Sequence, residues 1–504
     1  MASEEVKLRD YQDQVLQKVR SRVAAGVRKL LVCAPTGSGK TLMLAHVAKS
    51  ALAKSRRSAT LAPRRELVKQ TSKTFTKIGV QHGIIMAGVP HTQLDPVKVI
   101  CTPTLHARAV RSEKIEFPEA DVVNVDEAHL SVAPTIQNIL DKFNGAVRIG
   151  WSATPARTDG LGLGKAYDEI IMGPTIKELT EMGYLVPVRY FTPPKFDVNG
   201  VKIQKGDYNI KQLGEKVDTK TLIGDVVTNW MRIAGDRKTI VFGVTQAHAK
   251  HLQEAFLAVG INAGYVDSET DLDERSDTLE RFHHGDIQVI CNCMVLSYGY
   301  DAPEASCIVL ARPTKSIVMY FQSAGRGLRP CPEKGKKDMI LIDHGGVVES
   351  LGFLDDPVEW TLDGKKNISK SHEQKVKKEG RGVHCGQCQA FFEHVPVCPH
   401  CGWHVPPKAG KPVNTVDADL VELTKTQQRI NRTWSNEQKR YFFGELLQYC
   451  WEKGRSEGWA SHSYRARLGV WPNHFKDAQR VPISMETASW IRARNIRYAM
   501  SQKK

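Results

Sequence analysis

Short apolar runs alternate with helical patterns along the first part of the chain. Runs such as "KLLVCA" and "VKVICTP" have the length and composition of buried strands, whereas "TLMLAHVAKSALAK" has the spacing of an amphipathic helix. Strands separated by helices of about 10 to 15 residues are typical of βαβ units, which build parallel sheets. The pattern therefore predicts an α/β domain over residues 1–185.

The same alternation begins again after a proline-containing stretch and predicts a second α/β domain over residues 186–355. Residues 356–383 are polar, basic and weakly patterned, so we expect a linker there. A cysteine-rich segment over residues 384–406 and a basic, mainly helical region over residues 407–504 follow. Such a chain of 504 residues is too long for one hydrophobic core.

Composition and charge narrow the class of protein. The chain has 41% hydrophobic and 25% charged residues, and no apolar run reaches the roughly 20 residues that span a bilayer. The first residues are acidic, unlike those of a signal peptide, so we expect a cytoplasmic protein, or a nuclear one if the host has a nucleus. The net charge of +16 favours a polyanionic partner, with nucleic acid first and an anionic membrane surface second. The alternative is that the charge serves only solubility.

The stretch "APTGSGKT" follows an apolar run and opens a helical pattern. Glycines there allow backbone N–H groups to surround a phosphate chain at a helix N-terminus. In such a loop Lys40 reaches the β- and γ-phosphates, and the Thr41 hydroxyl binds Mg²⁺. Ala34 stands where the strict P-loop pattern has its first glycine. The remaining residues expected to bind the nucleotide are Thr36, Gly37, Ser38 and Gly39.

The apolar run "VVNV" ends in the carboxylates Asp126 and Glu127. Adjacent carboxylates repel, and a divalent cation removes that penalty. We therefore expect Asp126 to hold the Mg²⁺ that Thr41 also binds, and Glu127 to orient and deprotonate the attacking water. The strand that ends in Asp126 is predicted to lie beside the P-loop strand. A solvated acidic turn is the alternative interpretation of these residues alone.

"DEAH" after a P-loop, followed by "SATP", resembles superfamily 2 DEAH-box helicases and translocases, over most of residues 1–345. The resemblance implies two tandem RecA-like parallel-sheet domains and ATP hydrolysis coupled to movement on nucleic acid. In "LRDYQDQVL" it implies that Arg9 and Gln12 read the adenine edge, with Tyr11 or Leu8 packing on the base.

The same resemblance assigns further roles. "APRREL" and "CTPTL" match motifs that hold strand phosphates, through Arg64, Thr102 and Thr104. The residues assigned to coupling hydrolysis with domain movement are His129, Ser152 and Thr154.

In the second domain, "FQSAGRGLRP" fits the family's Q-x-x-G-R-x-x-R motif. On a helix, Gln322, Arg326 and Arg329 fall at i, i+4 and i+7 and share one face, which suits contact with a γ-phosphate. An exposed basic helix face is the alternative. "LSYGYDAP" resembles the preceding motif, in which Gly299 permits close backbone approach and Asp301 reaches the ribose or the arginines.

Four cysteines, Cys385, Cys388, Cys398 and Cys401, form two C-x-x-C pairs. This spacing predicts a closed structural Zn²⁺ site. A disulfide or redox site is the alternative. Farther on, aromatic residues alternate with arginines, a composition that suits either base stacking or a small helical core. Arg465 and Arg467 are the contact candidates there.

Helicase domains followed by a four-cysteine module and a basic tail resemble RadD-type bacterial DNA helicases and phage DNA helicases. This layout implies single-stranded or branched DNA as the partner, Mg²⁺, ATP and Zn²⁺ as ligands, a role in replication, recombination or repair, and a bacterial or phage-infected cytoplasm. Three alternatives stay open. They are an RNA helicase, the motor subunit of a restriction system, and a zinc-bearing DNA-binding or recruiting protein with a vestigial motor.

Overall fold

The computed structural model describes residues 7–90, 95–192, 198–297, 299–363, 367–379, 382–406, 434–475 and 477–501. The chain forms two compact units, Met1–Pro406 and Pro407–Lys504. Residues 407–433, in the predicted basic region, lie outside the described residues. No described helix is both long and apolar enough to cross a membrane.

The first sheet of the larger unit is parallel. Its strands are β1 (Lys29–Cys33), β2 (Ser58–Ala62), β3 (Gly83–Ile85), β4 (Val97–Cys101), β5 (Val122–Asp126), β6 (Val147–Ser152) and β7 (Glu169–Met172). They lie in the order β3-β4-β2-β5-β6-β1-β7. Its helices are α1 (Asp10–Ala24), α2 (Lys40–Leu52), α3 (Arg65–Lys77), α4 (Thr102–Leu105), α5 (Pro134–Lys142) and α6 (Ile176–Glu181). Strand residues such as Leu30 and Trp151 are fully buried, because helices cover both faces of a parallel sheet.

The predicted position of the acidic strand is wrong. β6 lies between β5 and the P-loop strand β1, with Cys33 opposite Ser152 and Asp126 opposite Trp151. Chain order and apolar patterning identify the strands of a parallel sheet but leave their lateral order open. The inserted strand ends in Ser152, so the P-loop, the "SATP" motif and the acidic pair follow three consecutive strands at one edge of the sheet.

The second sheet contains six parallel strands in the order β12-β13-β11-β14-β15-β8. They are β8 (Val188–Phe191), β11 (Thr239–Phe242), β12 (Ala263–Val266), β13 (Val289–Asn292), β14 (Cys307–Leu310) and β15 (Met339–Asp343). A small hairpin of β9 (Ile203–Gln204) and β10 (Asp207–Tyr208) precedes the helices. The helices are α7 (Ile210–Val217), α8 (Lys220–Ala234), α9 (Gln246–Ala258), α10 (Leu272–His284), α11 (Ile317–Ala324) and α12 (Val347–Leu351). The predicted tandem parallel-sheet architecture is confirmed.

The segment predicted as a linker is partly folded. Ile368–Glu379 forms helix α13, whose Ile368 and Val376 are buried. Its first turn also bonds to the first domain, where Ile368 N–H donates to the Gly160 carbonyl at 2.7 Å. The basic composition gives little indication of a helix with few apolar positions, so the structure shows a helix within the segment that the sequence predicts as a linker.

The cysteine-rich segment continues the second sheet. Its strands β16 (Gly382–His384) and β17 (Phe391–Glu393) form an antiparallel hairpin, and Phe391 pairs with Tyr190 of β8. The hairpin is therefore an extension of the second domain and not a separate body.

The smaller unit contains α14 (Asn436–Glu452), α15 (Glu457–Leu468) and α16 (Met485–Ser501). Its core is aromatic and includes the fully buried Phe442 and Tyr464. The helical character predicted for this region is confirmed for its described part.

Candidate active site

The P-loop connects β1 to α2, with Gly37 and Gly39 at φ +85° and +77°. A side chain at Gly37 would approach Leu185 within 2.7 Å, so this position requires glycine for space as well as for backbone conformation. Lys40 folds back onto the loop, where its Nζ donates to the carbonyls of Ala34 and Pro35 at 3.0 and 3.1 Å. This lysine must leave those carbonyls to reach a phosphate.

The acidic pair is buried at the end of β5, with Asp126 and Glu127 each 6% exposed. Glu127 adopts the left-handed conformation at φ 50°, which is uncommon for a residue with a side chain and is frequent at functional sites. Its N–H donates to Asp126 Oδ1 at 3.0 Å. The carboxylate of Glu127 lies 3.4 Å from Nδ1 of His129. The turn thus presents both carboxylates to the cavity beyond the strand.

The surroundings of Asp126 and Glu127 shift the pKa values of the two carboxyl groups in opposite directions. Burial, reinforced by the charge of Glu127, raises the pKa of Asp126. Burial opposes ionisation of Glu127 too, but the hydrogen bond and charge of His129, together with Lys40 and Arg326, outweigh it and lower the pKa of Glu127. Glu127 is therefore the carboxylate that remains ionised and able to accept a proton.

Lys40, Thr41 and both acids line one cavity of about 280 Å³. Oxygen donors from a hydroxyl and a carboxylate are what Mg²⁺ prefers, and burial of Asp126 without a bonded cation is costly. The glycine-rich loop supplies backbone N–H groups at the start of α2, where phosphate binds favourably. The residues present therefore fit a magnesium nucleotide.

The two arginines of the second domain line this same cavity. Arg326 is 3% exposed and donates through Nε to the Gln322 carbonyl and through a terminal nitrogen to Gln322 Oε1, both at 3.1 Å. Burial, with the nearby charge of Arg329, lowers the pKa of Arg326 to about 10. Arg329 forms an ion pair with Asp301. Both guanidiniums are held in place by protein acceptors.

The expected single helix across this motif is wrong. α11 ends at Ala324, a 3-10 turn covers Gly325–Leu328, and Arg329 has an extended backbone with ψ 137°. The Ala-Gly-Arg-Gly sequence changes the backbone geometry, because two glycines weaken the α-helix. Arg326 nevertheless reaches the cavity from the 3-10 turn, and Arg329 reaches the same cavity from the extended residue after it.

Hydrogen bonds join the two domains beside the cavity. Gln322 Nε2 donates to Thr154 Oγ1 at 3.1 Å, and Ser152 Oγ donates to the Thr154 carbonyl at 2.8 Å. Since Gln322 also accepts from Arg326, a continuous chain of contacts runs from the "SATP" turn to an arginine of the other domain. Gly299, at φ +74°, brings the second domain so close that a Cβ there would lie 2.7 Å from Leu67.

The region predicted to read adenine is fully engaged by protein contacts. Gln12 Nε2 and the Tyr11 hydroxyl both donate to the Ser38 carbonyl, at 2.9 and 2.8 Å. Tyr11 packs against Tyr184 with ring centroids 5.4 Å apart, and the Arg9 guanidinium lies 3.9 Å over the Tyr184 ring. Tyr11 is buried, and the predicted packing of Tyr11 or Leu8 on the base stays a prediction.

Leu8 is partly buried against the hydrophobic core of the first domain. Tyr184, which lies between the two sheets in sequence, was missed, since a lone tyrosine after a short helix carries no recognisable pattern. The adenine-reading roles of Arg9 and Gln12 stay predictions.

The predicted phosphate contacts of the first domain lie in varied surroundings. Thr102 is buried and its hydroxyl donates to the Ala62 carbonyl at 3.0 Å, whereas Thr104 accepts from Ala87 N–H at 3.3 Å. Arg64 donates to the Val295 carbonyl of the second domain at 2.7 Å. The strand-binding roles assigned to all three residues stay predictions.

One predicted contact in the smaller unit is wrong. Arg467 is 9% exposed, lies 4.8 Å over the Phe442 ring and pairs with Glu486 at 2.5 Å. It is a buried structural cation that the alternation of arginines and aromatic residues could not distinguish from a surface contact. Arg465 is exposed and lies 4.7 Å over Trp471.

The four clustered cysteines converge, with all their sulfur atoms within 4.8 Å of one another. Cys385 Sγ lies 3.4 Å from Cys401 Sγ, and Cys388 Sγ lies 3.8 Å from Cys398 Sγ. A disulfide requires about 2.05 Å, so these are four separate thiols around a common centre.

Two family models match this chain, and each covers most of the strands of one of its two sheets. The model described as "Type III restriction enzyme, res subunit" matches residues 5–157. The model described as "Helicase conserved C-terminal domain" matches residues 222–331. The two matches place the P-loop and acidic pair in one domain and the arginine motif in the other.

Individual proteins extend the likeness. A 51.5 kDa protein of Lactococcus phage (isolate 7-9) is 29% identical over 84% of this chain and 87% of its own length. The Saccharomyces cerevisiae protein IRC3, named as a candidate ATP-dependent helicase, is 30% identical over 70% of this chain but 55% of its own length. The chain thus spans most of the phage protein and about half of the yeast protein.

Among solved structures, a fragment assigned to the HsdR subunit of a type I restriction enzyme from Vibrio vulnificus superposes with a TM-score of 0.55. The identity is 23%, and the match covers 68% of this chain and 65% of the fragment. At this identity the likeness shows the tandem-domain fold alone.

Proposed function

Because this chain belongs to the superfamily 2 helicases and translocases, whose members hydrolyse ATP, we propose that it is a motor that moves along DNA. One observation carries the proposal: Arg326 and Arg329 of the second domain line the cavity that holds Lys40 and Glu127 of the first. Neither domain contains the complete set of charged groups. Nucleotide turnover then requires the domains to be together, which is the property a motor needs.

The positions of the site residues support the following roles. Lys40 exchanges its two loop carbonyls for the β- and γ-phosphates. Thr41 and Asp126 would hold Mg²⁺, which would supply charge neutralisation at the phosphate oxygens. Glu127, ionised because its pKa is lowered, accepts the proton of the attacking water. Arg326 and Arg329 stabilise the charge that develops on the transferred phosphoryl group.

Coupling to movement is assigned to the bond between Gln322 and Thr154. Gln322 holds Arg326 by two hydrogen bonds and contacts Thr154 by a third. Loss of the γ-phosphate removes the ligand that draws Arg326 toward the first domain, so the same event weakens the contact at Thr154. Alternating closure and opening of this contact would move two strand-binding surfaces relative to each other.

We propose DNA as the track, with phosphate contacts that are independent of sequence and sensitive to salt. The test is ATP hydrolysis stimulated by matched single-stranded DNA and RNA, followed by strand displacement on forked, 3′-tailed, 5′-tailed and RNA-containing duplexes. Stimulation of ATP hydrolysis by DNA supports the proposal if the logarithm of the affinity for DNA also falls linearly with the logarithm of the salt concentration. Stimulation by RNA alone would replace it with an RNA helicase, and no stimulation by either would refute the motor.

A restriction motor is the second candidate, favoured by the description of the family model that matches residues 5–157. That function requires a nuclease. We would detect it as DNA cleavage, sensitive to methylation of the DNA, by this chain together with its co-purifying proteins. Absence of cleavage with intact ATP turnover favours the helicase proposal.

We propose that the cysteine cluster binds structural Zn²⁺. Four sulfurs at about 2.3 Å from a central ion in a tetrahedron are about 3.8 Å apart, close to the observed 3.4 and 3.8 Å. The cluster anchors the β16–β17 hairpin, so the ion would stabilise the edge of the second sheet. Stoichiometric zinc in the purified chain tests this assignment, and a metal-free folded chain would refute it.

A further inference from the structure

The smaller unit exposes two large aromatic rings on one groove. Trp451, in α14, is 66% exposed, and Trp471, after α15, is 39% exposed. Both line a cavity of about 770 Å³ together with Gln448, Glu457, Asn473 and Arg480. We call this surface the tryptophan groove.

These rings are more exposed than the other tryptophans of the same unit, although the His462 ring lies 5.0 Å from the Trp471 ring. Trp434, Trp459 and Trp490 pack against the aromatic core that includes Phe442. A helical unit with a sufficient core gains nothing from leaving two further indoles in water, because each exposes a large apolar area. Exposed rings grouped on one concave surface are typical of a binding site.

Each exposed ring is paired with a guanidinium. Arg480 lies 5.6 Å over Trp451, and Arg465 lies 4.7 Å over Trp471. Both arginines are exposed, so each can reach a phosphate while it remains beside its ring. Glu457 is the carboxylate on the groove lining. Arg480 lines the groove beside Trp451, whereas Arg465 lies beside Trp471 without lining the groove, so one cation accompanies each exposed ring.

The charge of the unit identifies the class of ligand. Residues 434–504 contain 13 Lys and Arg against 6 Asp and Glu, which favours a polyanion as the ligand. Unpaired bases present flat faces that stack on indoles, whereas the bases of a duplex are already stacked on each other. The arrangement therefore matches a single strand, with bases on the rings and phosphates on the arginines.

We propose that the tryptophan groove is a second binding site for single-stranded nucleic acid, separate from the motor. The inference rests on the proposed function and deepens it, since a strand held outside the ATP-driven domains remains attached while those domains open and close. Stacking does not read the sugar or the sequence, so the groove should accept DNA and RNA strands of any composition.

The test uses the full chain and fluorescein-labelled strands of thirty deoxythymidines or thirty uridines, without nucleotide. Trp451→Ala and Trp471→Ala should each weaken binding of both probes about tenfold, because one base stack is lost in each. Trp451→Phe and Trp471→Phe, which retain a stacking face, should bind within about threefold of the wild type. Tyr441→Ala is the matched control, since Tyr441 is an exposed ring of α14 that does not line the groove.

Two further readouts separate binding from folding and from the motor. A thymidine strand containing 5-iodouracil should photocrosslink to Trp451 or Trp471 of the unmodified chain. In ATP hydrolysis, the double alanine variant should raise the strand concentration needed for half-maximal stimulation about tenfold or more, with kcat unchanged.

Absence of both crosslinks, with affinity of the double alanine variant within twofold of the wild type for both probes, would overturn the proposal. That result is also the one expected if the groove binds a protein. The wild-type chain could instead bind the strands through Trp451 and Trp471 but show no stimulated ATP hydrolysis. That result would refute the motor and still support the groove as a binding site.

Discussion

Thr154→Val is the substitution that tests the link between the two domains with least disturbance. Valine keeps the shape of Thr154, which is fully buried, and removes only the hydroxyl that accepts from Gln322 at 3.1 Å. Gln322 is 1% exposed, so its amide donor is left buried without that partner. Loss of a buried hydrogen-bond partner costs about 1 to 3 kcal/mol. This cost corresponds to roughly a five- to 150-fold fall in the equilibrium constant for assembly of the site from the two domains.

The assay is DNA-stimulated ATP hydrolysis at saturating nucleotide, with ATP affinity measured separately. We expect kcat to fall by about the stated factor while ATP affinity stays within about threefold. Gln322→Leu should lower kcat further, because Arg326 also loses an acceptor. The double variant should be little worse than Gln322→Leu alone, since both changes break the same bond.

Thr192→Val is the matched control. Thr192 is also buried and donates to Asp343 at 3.3 Å, but that bond lies within the second domain. It should lower the midpoint of thermal unfolding without a comparable loss of kcat. Strictly additive effects of Thr154→Val and Gln322→Leu, or a Thr154→Val enzyme within twofold of the wild type, would refute the coupling role.

Further predictions concern the nucleotide site, the domain contact and the cysteine cluster. Lys40→Ala should abolish both tight ATP binding and turnover, whereas Glu127→Gln should abolish turnover alone. Equilibrium binding of a fluorescent ATP analogue distinguishes these two effects. Normal hydrolysis by Glu127→Gln would exclude the role of Glu127 as the base. Gly299→Val should preserve ATP binding but lower kcat at least tenfold, because its side chain would enter the space of Leu67; unchanged kcat would show that this approach is unnecessary. Cys398→Ser should reduce bound zinc and lower the unfolding midpoint, measured by metal analysis and calorimetry, and a variant with full zinc content would contradict the four-sulfur site.

The motifs with strong local chemistry are predictable from the sequence. Glycine is the residue that a loop at positive φ requires, and a carboxylate after an apolar run marks the carboxyl end of a strand. Lys40, Asp126 and Glu127 can therefore be grouped by their local sequence alone. Their grouping with Arg326 depends on the family resemblance, because nothing local relates positions 200 residues apart.

Other features depend on tertiary contacts that leave little trace in sequence. Strand order places β6 beside β1, and no residue of β5 signals that arrangement. Arg467 and Arg465 have the same local composition, yet one is enclosed by aromatic rings and the other is exposed. Helix α13 is stabilised by a few buried residues within a basic stretch. Because those apolar positions are so few, the sequence of this stretch predicts a linker.

The proposed motor depends on an arginine from the second domain that acts on nucleotide held by the first. Single-turnover hydrolysis by Arg326→Ala and the wild type, at saturating DNA and with bound ATP measured in the same samples, tests it directly. For Arg326→Ala we expect a fall in rate of about 10³-fold or more with equal bound ATP. A rate within tenfold of the wild type at equal bound ATP would contradict it.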